Sequence, residues 1–341
     1  MDCIIDPVTK FNIPLEWIRS SRDPHALEKI RSGRWVLLSD GKMLKRGYTT
    51  GTTSAAACKG AIISLGIPLE DKISIVDVMT PAKIRVSLHV LARNGQCRAV
   101  KESGDHQFDI TNGLEIVAKA SISDEVKLAA GEGIGRIAGR RLCAPLDKPA
   151  ISQSAYNQIM NSIQEGLDIA GLKGAIVELS VPCGLEISSF TLNPRVGVMD
   201  GISILGSTGF VEPWNEHLGE SRAEEIKNLE KVVVTTGRTG LKFSRILFPD
   251  YQVVLIGNQL SRIELVEDQD SILCGLPALI LKWACPGILE GTNYGTVAEM
   301  AETMPNHPNI DRALQKVKAM LPFTRIVLLQ RDGRILRDSK D

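Results

Sequence analysis

The sequence predicts an α+β domain followed by a smaller α/β domain built on a four-stranded parallel sheet, and three observations carry that prediction. The chain of 341 residues is long enough for two hydrophobic cores, since single domains run to about 100–200 residues. From Ile73 to Lys101 the pattern is that of antiparallel strands joined by a turn. Further on, the texture changes to short apolar runs separated by helix-length segments, as buried strands of an α/β sheet read. These boundaries make 1–40 an N-terminal extension, 41–225 the α+β domain and 226–341 the α/β domain.

The elements follow in order. DPHALEKIRSG in the extension is helix-like, with Asp23 as cap, Pro24 in the first turn and Gly33 as the stop. ISIVDVM and IRVSLHVL precede an Asn94–Gly95 turn signal that leads into QCRAV, an antiparallel arrangement. LEIVAKASI and AIVELSV supply further strands, and Gln153 to Leu172 between them carries apolar residues at helical spacing. The charged stretch EPWNEHLGESRAEEIKNLEK reads as a linker. Beyond it, VVVTT, QVVLIG, one strand within SILCGLPALILKW, and RIVLLQ are the candidate parallel strands. No internal repeat or low-complexity tract interrupts them.

Composition excludes several functions. Lys plus Arg and Asp plus Glu both total 40, so no bulk positive field draws the chain to nucleic acid or an anionic membrane. Aromatic residues at 4% also argue against a base-stacking platform. Apolar runs such as Leu276 to Leu281 fall short of the roughly 20 residues of a membrane span. The opening MDCIIDP lacks the basic start of a signal peptide, which makes the cytoplasm the expected location. Seven cysteines without a CxxC pair read as reduced thiols, not as disulfides or a zinc site, so no protein-bound metal is expected.

Four segments of the first domain carry the candidate chemistry. In RGYTTGTTSAAACKGAIISLG, Arg46 to Gly66, a Thr/Gly loop opens into an Ala-rich helix. Helix N-termini present unpaired amides and a positive dipole end, so its opening N–H groups are expected to face an anion. Lys45, Arg46 and Lys59 tilt the balance toward binding, a helix capped within the chain is the alternative, and P-loop spacing is absent. KESGDHQFDITNG, Lys101 to Gly113, sets Asp105, His106 and Asp109 between two strands. Carboxylates there suit acid–base work, a cation or a substrate N–H, and an Asx-rich turn is the simpler account, with His106 exposed.

LAAGEGIGRIAGRRL, Leu128 to Leu142, invites comparison with the dinucleotide fingerprint. Counted from Gly131, the third glycine position is Arg136; counted from Gly133, Ala138 fits, but the preceding EVKLAAGE is a poor strand. A flexible turn before a helix is the simpler reading, and a loop that brings backbone to a ligand beside Arg136, Arg140 and Arg141 is the alternative. LNPRVGVMDGISILGSTGFVEPW, Leu192 to Trp214, reads as tight turns or as backbone wrapped round a cofactor, with Arg195 as its charged anchor.

Together and in this order, these segments resemble the CbiD family. The resemblance lies in the YTTGT opening, the GD…D-I/V-T-N-G loop, the GEG-I/V-G-R loop and NPR…GISILG-S/T-TG…VEP, all between Arg46 and Pro213. It implies the two-domain fold already read from the strands. It also implies a methyltransferase of cobalamin biosynthesis that carries a methyl group from S-adenosylmethionine to carbon 1 of cobalt-precorrin-5B, giving cobalt-precorrin-6A. Such a transfer needs no protein nucleophile, because the enamine-like macrocycle attacks the sulfonium methyl in line. Holding donor and acceptor in that geometry can be worth about 7–11 kcal/mol. The cobalt belongs to the substrate, whose acetate and propionate groups can be met locally by helix N-termini and Arg residues.

With the family in view, Asp105 and Asp109 are expected to be catalytic. Substrate or cofactor binding is expected at Thr49, Thr50, Gly51, Thr52, Thr111, Gly131, Glu132, Gly133, Arg136, Arg195, Gly206 and Thr208. The partner expected is the anionic cobalt tetrapyrrole, with no nucleic acid and no membrane, and homo-oligomerisation is left open. Two departures stand out. The acidic loop, usually GDDPD, is here Gly104-Asp105-His106-Gln107-Phe108-Asp109, one residue longer and one carboxylate poorer. The family's histidine-containing turn in the second domain has CGLPALILKWACPG as its nearest counterpart, which lacks the histidine. A small-molecule kinase, a non-catalytic corrinoid carrier and a structural subunit are the alternative readings.

Overall fold

The computed structural model describes residues 3–67, 72–106, 109–138, 146–213, 226, 229–257, 260–263 and 265–340. They fall into two compact units, one of Arg31–Val36 with Leu44–Asn215 and one of Met1–Ile30, Leu37–Met43 and Glu216–Asp341. Residues 1–30 thus group with the unit that contains the C-terminal sheet. Their anchor is aromatic: Phe11 packs on Phe243 with ring centres 5.6 Å apart. The expected linker lies mostly outside the described residues.

The unit that carries the four motifs is built on helix α1 (Thr50–Gly66), strands β1 (Ile73–Met79), β2 (Arg85–Arg93), β3 (Gln96–Val100), β4 (Glu115–Ile122) and β5 (Lys127–Ala130), helix α2 (Gln153–Ala170) and strand β6 (Ala175–Ser180). The sheet order is β5-β6-β4-β3-β2-β1. All neighbours are antiparallel except β5 and β6, where Lys127 pairs with Ile176. Strand β2 alternates exposed and buried residues along its whole length, as one covered face dictates. β5 corrects the reading of EVKLAAGE as a poor strand. It is an edge strand, so partnership with β6 supplies what weak propensity does not.

Helix α1 is buried on nearly every side, with Ala55, Ala56, Ala57 and Cys58 at 0% exposure. Small residues make this possible. A Cβ on Gly60 would stand 2.7 Å from Cys97 Sγ, and one on Gly166 of α2 would stand 3.3 Å from the Ile62 side chain. Helix α2 is amphipathic, starts at Ser152, whose hydroxyl accepts from Ala155 N–H, and stops at Gly171 in the left-handed region.

The second unit contains β7 (Lys231–Thr235), α3 (Arg238–Leu247), β8 (Gln252–Leu255), β9 (Asp270–Gly275), α4 (Pro277–Ala284), α5 (Val297–Thr303), α6 (Pro308–Met320), β10 (Arg325–Leu329) and β11 (Ile335–Asp338). Its order is β8-β7-β9-β10-β11. The first four strands are parallel, whereas β11 runs antiparallel to β10, so the sheet is five-stranded and mixed, not four-stranded and parallel. The extra edge follows a turn at Asp332–Gly333, where Gly333 has φ 87°. Val232, Val234, Leu273, Ile326 and Leu328 form the core with Ile280, Met300, Ile310 and Val317 from the helices.

Candidate active site

The start of α1 is closed by the chain itself. Thr49 is the N-cap, and its Oγ1 accepts from Thr52 N–H at 3.2 Å. Gly51 N–H donates to the Leu205 carbonyl at 2.9 Å, and Thr53 N–H donates to the Thr49 carbonyl. The expectation that these amides face an anion is therefore not met at Gly51, Thr52 or Thr53, and the phosphate-loop alternative loses its support. What occupies the helix start is the Gly/Ser/Thr run of the fourth motif. Thr50 Oγ1 receives Leu205 N–H at 2.8 Å, and buried Thr52 Oγ1 donates to the Gly209 carbonyl at 2.9 Å. Gly206 fits because a Cβ there would stand 2.5 Å from Thr49 Oγ1. Thr208 Oγ1 closes its own turn with Phe210, and its carbonyl accepts Ala82 N–H.

The acidic loop lies against the first motif. Arg46 and Gly104 form a bridge, and Tyr48 N–H donates to the Glu102 carbonyl at 2.7 Å. Gly104 has φ 62°, and a Cβ on it would come within 2.3 Å of the Lys45 carbonyl, so a side chain is excluded. Asp105 is exposed. Its Oδ2 accepts Lys45 N–H at 2.6 Å while its own N–H donates to the Lys45 carbonyl at 2.9 Å. Glu102 on the same loop binds Lys45 Nζ at 2.5 Å and pairs with Arg34, whose guanidinium lies 3.7 Å over the Tyr48 ring.

Asp109 is held differently. Its Oδ2 accepts from Lys101 Nζ at 2.5 Å and Ser103 Oγ at 2.6 Å, and its Oδ1 accepts from Thr111 N–H at 2.9 Å and Thr111 Oγ1 at 2.5 Å. Four donors use every lone-pair position of one carboxylate. Burial alone raises its pKa, but the Lys101 ammonium and the hydroxyl donors outweigh burial and hold the carboxyl well below the usual range. Thr111 thus serves Asp109. Half-buried His106 neighbours Gln107 and Phe108, which lie outside the described residues.

Two cations that seemed to favour anion binding are internal. Arg46 is 0% exposed and donates to Glu212 Oε2 and the carbonyls of Gly33 and Trp35. Lys59 donates to the Asp77 carbonyl at 2.7 Å and to Glu165 at 2.6 Å. Their partners lie far away in sequence, and no local pattern signals them.

The GEGIGR segment follows β5 and leads into the two-residue strand Arg136–Ile137, not into a helix. Gly133, at φ 72°, would place a Cβ 1.9 Å from the Val181 carbonyl, while Gly184 and Gly201 both face the Gly133 carbonyl. Three stretches of backbone touch there, which is why glycines recur. Glu132 is exposed and its carbonyl accepts Val181 N–H, whereas Gly131 N–H donates to the Leu179 carbonyl. Arg136 Nη1 donates to the Asp147 carbonyl, and Arg195 is exposed on the short helix Asn193–Val196. Arg140 and Arg141 lie outside the described residues. Hydrogen bonds join the acidic loop to the first motif, the first to the fourth, and the fourth to the third through Gly135 N–H and the Ile202 carbonyl.

This connected arrangement coincides with the match to a family model described as CbiD, over residues 38–213. The chain belongs to the CbiD family. Its relatives include a protein of Methanococcoides burtonii named cobalt-precorrin-5B C(1)-methyltransferase, 47% identical over 98% of each chain. One of Methanosarcina acetivorans bears the same name and is 47% identical over 99% of each chain. The crystal structure of the cobalamin biosynthesis protein CbiD from Archaeoglobus fulgidus is similar at a TM-score of 0.56 and 33% identity, with 96% of this chain and 100% of that one covered. These relatives and the solved structure extend the likeness into the second unit, beyond the motifs that carried it in the sequence.

Proposed function

We propose that this protein is a cobalt-precorrin-5B C(1)-methyltransferase that uses S-adenosylmethionine as donor and works in the cytoplasm. The observation that carries this reading is the likeness to relatives of that name along 98% of the chain. The chemistry of the first unit is compatible with it. The stretch that holds Arg195 also exposes Phe190, Leu192, Val196 and Met199, an apolar surface with a guanidinium beside it. That composition suits a flat macrocycle fringed with carboxylates. No described helix is long and apolar enough to cross a membrane.

The two aspartates take different parts. Asp109, its lone pairs spent, positions the loop. Asp105 has one oxygen fixed by Lys45 N–H, and Oδ1 has no partner among the described residues, so this carboxylate is the group available to a substrate N–H, to the sulfonium charge, or to the proton released at carbon 1. Incubation of the protein with authentic cobalt-precorrin-5B and S-adenosylmethionine without oxygen tests the reading. Mass spectrometry should find the tetrapyrrole heavier by one methyl group, and an unchanged mass would overturn it.

A further inference from the structure

In the second unit the chain starts at β7, moves to β8 on one side, then crosses back to β9 and β10 on the other. In open sheets with such a reversal, ligands lie outside the carboxyl ends of the strands beside the switch. The order reverses between β7 and β9, and one strand further along, at the carboxyl ends of β9 and β10, there is a cleft of about 90 Å³. Leu276, Ala278, Ala301 and Leu329 form apolar walls, and Glu302 and Arg331 contribute opposite charges. Both residues are exposed, and neither charge has an ion-pair or hydrogen-bond partner among the described residues. Helix α4 begins at this wall, with Leu276 as its N-cap, so its positive end favours an anion on the same side.

The volume and the charges select the ligand class. Sites for whole drug-sized ligands measure about 300–1,000 Å³, so this cleft takes one end of a larger molecule. An apolar slot with one carboxylate and one guanidinium, both unpaired, fits a short stem that carries an ammonium and a carboxylate, the amino-acid zwitterion. A guanidinium fork matches a carboxylate with two parallel bonds. We propose that this cleft seats the methionyl end of the sulfonium methyl donor, with Arg331 on the α-carboxylate and Glu302 on the α-ammonium group. This rests on the methyltransferase reading above and adds a location for the donor.

Calorimetric titration of the full chain with S-adenosylhomocysteine tests it, with 5′-methylthioadenosine, which lacks the amino-acid end, as the second probe. Glu302→Gln and Arg331→Gln should each weaken S-adenosylhomocysteine at least tenfold and leave 5′-methylthioadenosine affinity as in the wild type. Ala298→Leu, which fills the slot from α5, should weaken S-adenosylhomocysteine as well. Wild-type affinity for S-adenosylhomocysteine in all three variants overturns the location while the methyltransferase reading stands. Methyl transfer that fails in the wild-type chain, with no S-adenosylhomocysteine bound, overturns both.

Discussion

At the scale of single residues, the two loop aspartates make opposite predictions. Asp105→Asn keeps an oxygen for Lys45 N–H, so stability should change by less than about 1 kcal/mol, while single-turnover methyl transfer should fall at least tenfold. Wild-type turnover in a normally melting mutant would remove Asp105 from the chemistry. Asp109→Ala leaves Lys101, 2% exposed, as an uncompensated buried charge, a loss worth about 3–5 kcal/mol that a denaturant midpoint reads directly. The pH dependence has a definite sign. A carboxyl whose pKa is lower folded than unfolded stabilises the fold above its ordinary value of 3.8, and that contribution fades as pH falls below it. Acid titration of the wild type should therefore show a loss of stability below about pH 4 that Asp109→Asn lacks. The sequence made both aspartates visible as a pair, because acidic loops between strands are legible. It did not separate them, since the separation comes from Lys101 folding under the loop. Arg46 and Lys59 misled for a related reason, namely that a cation's burial depends on distant partners such as Glu212 and Glu165.

At the scale of elements, the strands with a strict two-residue alternation and the amphipathic α2 were readable within a residue or two, because their pattern is a direct image of one buried face. The edges were not. β5 has KLAA as its whole content and is held by pairing to β6, and β11 follows an Asp332–Gly333 turn signal whose second strand, ILRD, is half polar. Edge strands contact the core on one side, so their sequences are under weaker constraint. The glycines of the third motif were read as a flexible turn or a ligand loop, and their positions give a backbone crossing instead. A comparison of two substitutions isolates that crossing. Gly113 has φ 78° with nothing within 4 Å of a Cβ, so Gly113→Ala should cost only the left-handed strain, about 1–2 kcal/mol. Gly133→Ala adds a contact of 1.9 Å with the Val181 carbonyl and should cost clearly more, with lost pairing between Gly131 and Leu179 visible as faster amide exchange. Equal melting temperatures for the two variants would refute the crossing as the reason for Gly133.

At the scale of the whole molecule, balanced charge directed attention away from nucleic acid and toward local recognition, and each unit now has a local candidate of its own. The first presents Asp105 and the exposed apolar stretch with Arg195, and the second presents the cleft with Glu302 and Arg331. Spacing of the cysteines and histidines gives no zinc or iron pattern, so protein treated with a chelator should keep its turnover on a substrate that brings its own cobalt, and zinc-dependent recovery would contradict this. Division of labour between the units has a stronger consequence. A ligand that binds the folded state at a hundred times its Kd stabilises it by about 2.7 kcal/mol, and in a protein with two cores that gain belongs first to the unit that holds the ligand. S-adenosylhomocysteine should therefore slow amide exchange in the second unit, most at 275–278 and 329–331, with less effect on the strands of the first. Hydrogen exchange followed by mass spectrometry reads this peptide by peptide. Protection concentrated instead on the GEGIGR segment and residues 203–209 would move the donor to the first unit, and would make the glycine crossings part of its binding surface after all.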